Sequence, residues 1–263
     1  MRTLGDFVVV NRRRLAWGFG LLTLPVVALI PTLEIEDRYV EWFDESTSFR
    51  QDTDFATENL VGPYVLEFSV PSGESGGVVD NVYLERVEAF TGWLREQEEV
   101  VHVGAITDVM KRLNKSMHGD GPAWYRLPDD RQLSAQYLLL YEMSLPYGLD
   151  LNSQINIDKS ASRVMATLQA PSSRQLRDLA TRAEDWLADN TPPAMHTITT
   201  GIALTFAHIG QRNIESMLLG TAIAFLIIST IITLALRSMP LGLVSLVSNT
   251  FPVLITFGLW AIL

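Results

Sequence analysis

The chain has 263 residues, 48% of them hydrophobic and 19% charged, with no cysteine and 30 acidic against 20 basic residues. That apolar share excludes a disordered chain, the missing thiols exclude disulfides, zinc–thiolate or iron–sulfur sites and a cysteine nucleophile, and the net charge of −10 excludes nucleic acid as the main partner, because phosphate binding needs a clustered basic face. A mean hydropathy of +0.17 is high for a water-soluble globule and makes membrane insertion the first expectation.

In chain order, residues 1–14 read as a cytoplasmic N-terminus ending in the run Arg12-Arg13-Arg14. Leu15–Leu33 follows without a charge and reads as transmembrane helix 1, since roughly 20 helical residues cross a bilayer core of about 30 Å. A cleaved secretory signal also opens on a basic region, but its apolar part is about 7–15 residues long. This run is longer, and no small-x-small site precedes Glu34, so a retained anchor is expected, bent at Pro25.

Residues 34–212 read as an external domain. It holds 28 acidic and 15 basic residues, a net charge of −13, and is long enough for its own core. Tyr64–Val70 alternates as a strand and stops at Pro71-Ser72-Gly73. Asp80–Glu96 spaces Val82, Val87, Phe90, Trp93 and Leu94 as a helix behind the cap Asp80. Val100–Ile106 reads as a buried strand, and Asp129–Met143 as a helix ended by Pro146 and Gly148. Ser160–Gln169 is a strand, Ser172–Asp189 an amphipathic helix capped by Ser172, and Met195–Thr200 a last strand.

The order is β-α-β, an irregular middle with one helix, then β-α-β, which predicts a ferredoxin-like, split-βαβ α+β layer. A Rossmann-like domain would need a glycine fingerprint. Ser72-Gly73-Glu74-Ser75-Gly76-Gly77 does not match one and reads as a flexible loop.

Beyond the domain, residues 213–236 read as transmembrane helix 2, uncharged from Ser216 to Leu236. The connector 237–240, Arg237-Ser238-Met239-Pro240, precedes transmembrane helix 3 at 241–263. The fold class is therefore an α+β membrane protein with three transmembrane helices and a large external domain. Arg2, Arg12–Arg14 and Arg237 all lie in short loops beside the spans, which puts these loops in the cytoplasm and the acidic domain outside.

Catalytic and metal chemistry find no foothold. His102, His118, His196 and His208 show no metal-ligand spacing and read as surface or packing residues. Asp150-x-Asn152-x-Gln154 starts like a calcium loop but lacks the glycine at the sixth position and has Ala161 at the twelfth. No G-x-S-x-G elbow occurs. The basic run Lys111-Arg112-Leu113-Asn114-Lys115 reads as a solvated helix end or loop, with a lipid-headgroup contact as the minor reading.

No ionisable residue sits at mid-depth in the membrane runs, and Glu215 lies at the outer end of helix 2, so no coupling site of the intramembrane-acid kind is present. Ser229, Thr230, Thr233, Ser245, Ser248, Asn249 and Thr250 read as interhelical hydrogen-bonding groups. No catalytic, cofactor-binding or metal residue is assigned, no cofactor or enzyme activity is expected, and no substrate-binding residue can be chosen.

Several segments together carry a family resemblance: Tyr39-Val40-Glu41-Trp42-Phe43-Asp44, Ile106-Thr107-Asp108-Val109, Asn114-Lys115-Ser116-Met117, Leu138-Leu139-Leu140-Tyr141-Glu142, Pro146-Tyr147-Gly148-Leu149-Asp150 and Asp158-Lys159-Ser160-Ala161-Ser162-Arg163, with Leu236-Arg237-Ser238, Gly242, Asn249 and Pro252 at the membrane. The chain resembles the N-terminal part of the MMPL-type branch of the RND transporter superfamily, the exporters related to hopanoid and mycobacterial lipid transporters. The resemblance implies a porter-type external domain, an inner-membrane location, and export of hydrophobic or lipid-like compounds by proton antiport.

The implied partners are the bilayer, the lipid-like substrate, and the remaining transporter helices or further copies of the chain. The family's proton-relay acids lie on a fourth helix, so the resemblance also implies that a chain ending at Leu263 is a fragment that does not pump alone. The alternative function is a membrane-anchored external ligand-binding or sensor protein. Such a protein would call for a cytoplasmic signalling domain, and neither Met1–Arg14 nor the connector has room for one.

Overall fold

The structure, a computed structural model, describes residues 2–32, 38–60, 62–146 and 151–262. The chain divides into two compact units, Met1–Ile35 with Arg212–Leu263, and Glu36–Gln211.

The second unit is built on one four-stranded sheet. Its strands are β1 (Tyr64–Pro71), β2 (Val100–Gly104), β3 (Ala161–Leu168) and β4 (Thr199–Thr200), in the order β2-β3-β1-β4, and every neighbouring pair is antiparallel. β1 and β3 pair along their full length, from Tyr64 opposite Leu168 to Pro71 opposite Ala161. Helix α3 (Asn81–Arg95) links β1 to β2, and α6 (Ser173–Asn190) links β3 to β4. The strands joined by α3 thus flank β3, and those joined by α6 flank β1.

Local chemistry explains the borders. Asp80 caps α3 by accepting from Val82 N (2.9 Å) and Tyr83 N (3.3 Å). Ser172 and Gln175 close a reciprocal capping box on α6. Alternation in β1 puts Tyr64, Leu66, Phe68 and Val70 into the core. They pack on Tyr83, Leu84, Val87, Phe90 and Leu94 of α3 and on Leu176, Leu179, Ala183 and Leu187 of α6. Phe68 meets Phe90 edge-on at 5.1 Å. The helical stripe is rotated from the sequence expectation: Val82 is exposed, and Trp93 stays half-buried, stacked at 6.0 Å on Trp186.

Other elements differ from the sequence reading in ways that have physical causes. Val100–Ile106 is not a buried strand: β2 stops at Gly104 on the sheet edge, where Val101 and His102 are exposed. Ile106 instead opens helix α4 (Ile106–Met117). The middle therefore holds two helices, α4 and α5 (Arg131–Ser144), the second capped by Asp130. A further helix, α2 (Ser48–Asn59), precedes β1.

The last strand is only two residues, because Pro193–Met195 first forms a 3₁₀ turn. The loop at Ser72–Gly77 is fastened rather than free: Ser72 N, Gly76 N and Val78 N donate to the carbonyls of Ser160, Asp158 and Lys159 at 2.7, 2.9 and 3.1 Å. The stop signal at Gly148, with Tyr147, Leu149 and Asp150, lies outside the described residues.

Helix α7 (Ile202–Leu236) begins in the second unit's part of the chain and has its residues from Arg212 on in the first, where α8 (Met239–Trp260) follows it. These two are long and apolar enough to cross a membrane. The N-terminal helix α1 differs from its expectation. It runs Arg2–Ala28, takes in Arg12–Arg14, and gives way to a 3₁₀ turn at Ile30–Thr32, while Leu33 and Glu34 lie outside the described residues. Its uncharged α-helical part, Leu15–Ala28, rises about 21 Å, short of a bilayer core of about 30 Å.

Candidate functional site

The helices α3 and α6 cover one face of the sheet and leave the other open. On that face the alternation brings up Glu67 of β1, Arg163 and Met165 of β3 and His102 of β2, with Glu67 opposite Met165 and Gly104 beside it. Above the β2–β3 end, α4, the end of α3 and the 3₁₀ turn Leu151–Ser153 close the face into a cleft of about 510 Å³. Its polar lining includes Arg95, His102, Asp108, Lys111, Arg112 and Arg163; Val103, Val109, Tyr125 and Met165 supply the apolar part.

The cations are held by a network. Lys111, on the inward face of α4 with Met110 and Asn114, has a side chain only 10% exposed. Its Nζ donates to Glu88 Oε1 at 2.5 Å and lies 3.1 Å from Asp108 Oδ1. Burial alone would lower the ammonium's pKa, but the bonds to Glu88 and Asp108 outweigh it and hold the pKa above its usual value. The Nζ also lies 5.3 Å from the Tyr125 ring centroid.

Arg95 reaches both oxygens of Asp108, at 3.0 and 2.9 Å, and donates to Val103 O. Arg163 donates to Glu67 at 2.6 Å and to Ser153 O at 3.2 Å. Arg112 is different. It is exposed on the same helix, and among the described residues no carboxylate pairs with it.

Lys111–Lys115 is helical and lies toward the end of α4, as one of the two readings had it, but it is only partly solvated. Lys111 and Asn114 are buried, and Asn114 donates to Trp124 O and Arg126 O while accepting from Tyr137 Oη. The other sequence candidates scatter. His102 lines the cleft, His118 stacks on Trp124 at 3.7 Å, His196 meets Thr191 O at 3.2 Å, and His208 is exposed. Asn152 and Gln154 lie at the cleft's rim region, but Asp150, the first residue of the calcium-like pattern, is outside the described residues. Among the described residues no group of three or more His, Asp or Glu could hold a metal.

Sequence reasoning missed Arg95, Glu88 and Arg163 as members of one site. Only Asp108, three residues before Lys111 on one helix face, was a local signal.

The membrane-type helices pack by close approach. Phe19 of α1 lies 5.5 Å from Phe251 of α8. A Cβ at Gly258 would run into the Val26 carbonyl of α1, and one at Gly242 into Thr233 Oγ1 of α7. The polar side chains expected to bridge helices turn mostly to their own. Thr230 and Thr233 donate to the carbonyl four residues back, and Asn249 donates to Ser245 Oγ at 3.4 Å. Ser229 Oγ is buried with no partner among the described residues.

Compared with known families, residues 151–263 match the model of the MMPL family. The matched stretch runs from the 3₁₀ turn at the cleft through β3, α6 and β4 into α7 and α8. No curated protein matches the chain. The match, over less than half of the chain, supports the MMPL family, and the two apolar helices are those of a membrane protein by length and composition.

Proposed function

We propose that this chain is part of an MMPL-type exporter of hydrophobic or lipid-like compounds, with the acidic unit as its substrate-capturing domain outside the inner membrane. The observation that carries the reading is the family match, because it covers globular elements and both apolar helices in one stretch. The strand order β2-β3-β1-β4 with helices on one face supports a ferredoxin-like, porter-type domain. The basic residues at Arg12–Arg14 and Arg237 support an N-terminus and a connector in the cytoplasm, with α1 as a third span completed by the residues after Ala28.

Export would be driven by protons. Since neither α7 from Ser216 onward nor α8 holds an ionisable side chain, the coupling acids belong to other helices of the assembled transporter. This reading has no catalytic step and no cofactor.

The test is a set of alkaline phosphatase and fluorescent-protein fusions after Arg14, Leu236 and Leu263. Cytoplasmic signals at the first two and an external signal at the third support the reading. A soluble, secreted product lacking its first 33 residues overturns it.

A further inference from the structure

We propose that the cleft between β2, β3 and α4 binds the oxyanion headgroup of an amphiphilic molecule, a phosphate or carboxylate, with Arg112 as its direct partner. The inference deepens the proposed function by naming the chemical class of the substrate. It depends on that reading for the ligand's role as cargo, but not for binding itself.

Three observations converge on it. The first is charge. Four cations, Arg95, Lys111, Arg112 and Arg163, line the cleft with one acid, Asp108; Asp108 pairs with Arg95 and Lys111, and Glu88 and Glu67, outside the lining, pair with Lys111 and Arg163. One guanidinium is left over, on a domain whose own net charge is −13. A domain so acidic repels a polyanion, but a small anion meeting Arg112 sees a local excess of positive charge.

The second is pre-organisation. Lys111 is fixed by Glu88, Asp108 and the Tyr125 ring, and Arg95 is clamped across Asp108, so the cationic wall behind Arg112 is already ordered before any ligand arrives. Arg112 itself has a planar fork able to take two oxygens of one phosphate or carboxylate.

The third is size and lining. At about 510 Å³ the cleft exceeds what a lone phosphate fills and lies within the range of small-molecule sites. Val109, Met165 and Tyr125 give the surplus volume an apolar side, which suits the first carbons of a tail attached to the headgroup.

The full chain in phosphatidylcholine nanodiscs is titrated calorimetrically with dihexanoyl phosphatidic acid, with empty discs subtracted, and in separate arms with inorganic phosphate and dihexanoyl phosphatidylcholine. The expected result is saturable binding of the phosphatidic acid that weakens about tenfold or more in Arg112→Gln and further in Arg112→Glu. Lys115→Gln, which changes another cation of α4 that does not line the cleft, should leave it unchanged.

Arg112 is exposed, so its variants should keep the wild-type circular dichroism. Binding by phosphate alone that is equally sensitive to Arg112 would assign the site to a free anion and overturn the amphiphile. Equal loss in Lys115→Gln, no effect of Arg112→Gln, or no binding above empty discs would overturn the site altogether. If the fusion assay places the domain in the cytoplasm while Arg112-dependent binding persists, the export reading falls and the cleft stands.

Discussion

Lys111 Nζ lies 2.5 Å from Glu88 Oε1, joining α4 to α3 through an ammonium that is nine-tenths withdrawn from water. Glu88 keeps about a third of its side chain exposed, so the pair is not a fully buried one, and solvent screens part of its attraction. Lys111→Met should still destabilise the globular unit by about 1–2 kcal/mol, because it takes the hydrogen-bond donor from Glu88 Oε1 and leaves that carboxylate only the more distant Arg95, 4.0 Å away, while Asp108 keeps its bonds to Arg95. Adding Glu88→Gln should restore part of that loss. Thermal melts of the full chain in neutral detergent, followed by near-ultraviolet circular dichroism, test this. Additive losses in the double variant would mean that the two residues do not interact.

Tyr83 sets an alkaline limit on stability. Burial pushes its phenol up to about 12, against the smaller opposing effect of its bonds with Ser162. Its Oη donates to Val70 O at 2.8 Å, lies 2.6 Å from Ser162 Oγ, and accepts from Ser162 N at 3.2 Å. The folded pKa exceeds the unfolded value near 10, so the folded state holds its proton longer. The contribution is complete below pH 10 and is lost as pH rises from about 10 to 12, roughly 2–3 kcal/mol in all. Lys111, also raised, loses its part in the same direction above its unfolded value of 10.5. Tyr83→Phe should lower stability at pH 8 by about 1–2 kcal/mol and flatten the fall between pH 10 and 12. A variant whose melting temperature falls with pH as steeply as the wild type would refute the assignment to Tyr83.

The elements that could be read from sequence are those with local causes. Asp80 and Ser172 announce their helices because a cap is a bond between residues two or three apart. The α4 helix was hidden because Ala105, its N-cap, has no capping side chain, and because Lys111, Arg112 and Lys115 give the segment the composition of a solvated stretch. Its burial pattern is nevertheless regular, with Ile106, Met110 and Asn114 four residues apart. The valines of β2 suggested burial, but whether a strand lies at the edge depends on strand order, which no short window contains. The cleft is less legible still. Arg163 and Glu67 are 96 residues apart, Lys111 and Glu88 are 23 apart, and only the closed sheet brings them to one face.

The contact of α1 with α8 rests on a missing side chain. Gly258 lets the Val26 carbonyl of α1 come within a distance no Cβ would allow, and Phe19 and Phe251 then meet at 5.5 Å. Gly258→Leu should force the two helices apart and lower stability by about 1–3 kcal/mol, the usual cost of overpacking. Because the chain has no cysteine, a Phe19→Cys, Phe251→Cys pair can be linked by a short bis-maleimide without background. The link should form readily with Gly258 and poorly with Leu at that position. Equal yields would show that the glycine does not govern the approach.

Arg237 occupies a backbone conformation that costs an L-residue energy, and it also carries the connector's one charge. Its φ is +46°, and the chain around it closes α7 with Ser238 N donating to Thr233 O at 3.2 Å, the six-to-one bond of a helix ended by a left-handed residue. Glycine at this place would relieve about 1 kcal/mol of steric strain. It would also remove a positive charge from a loop of four residues, where charge biases orientation. Arg237→Gly should therefore raise the melting temperature slightly while lowering the cytoplasmic signal of a fusion after Leu236. Arg237→Lys keeps the charge and the strain and should change neither. The two readouts move in opposite senses only if Arg237 is kept for topology at the expense of backbone strain; a glycine variant that is both less stable and correctly oriented would contradict that balance.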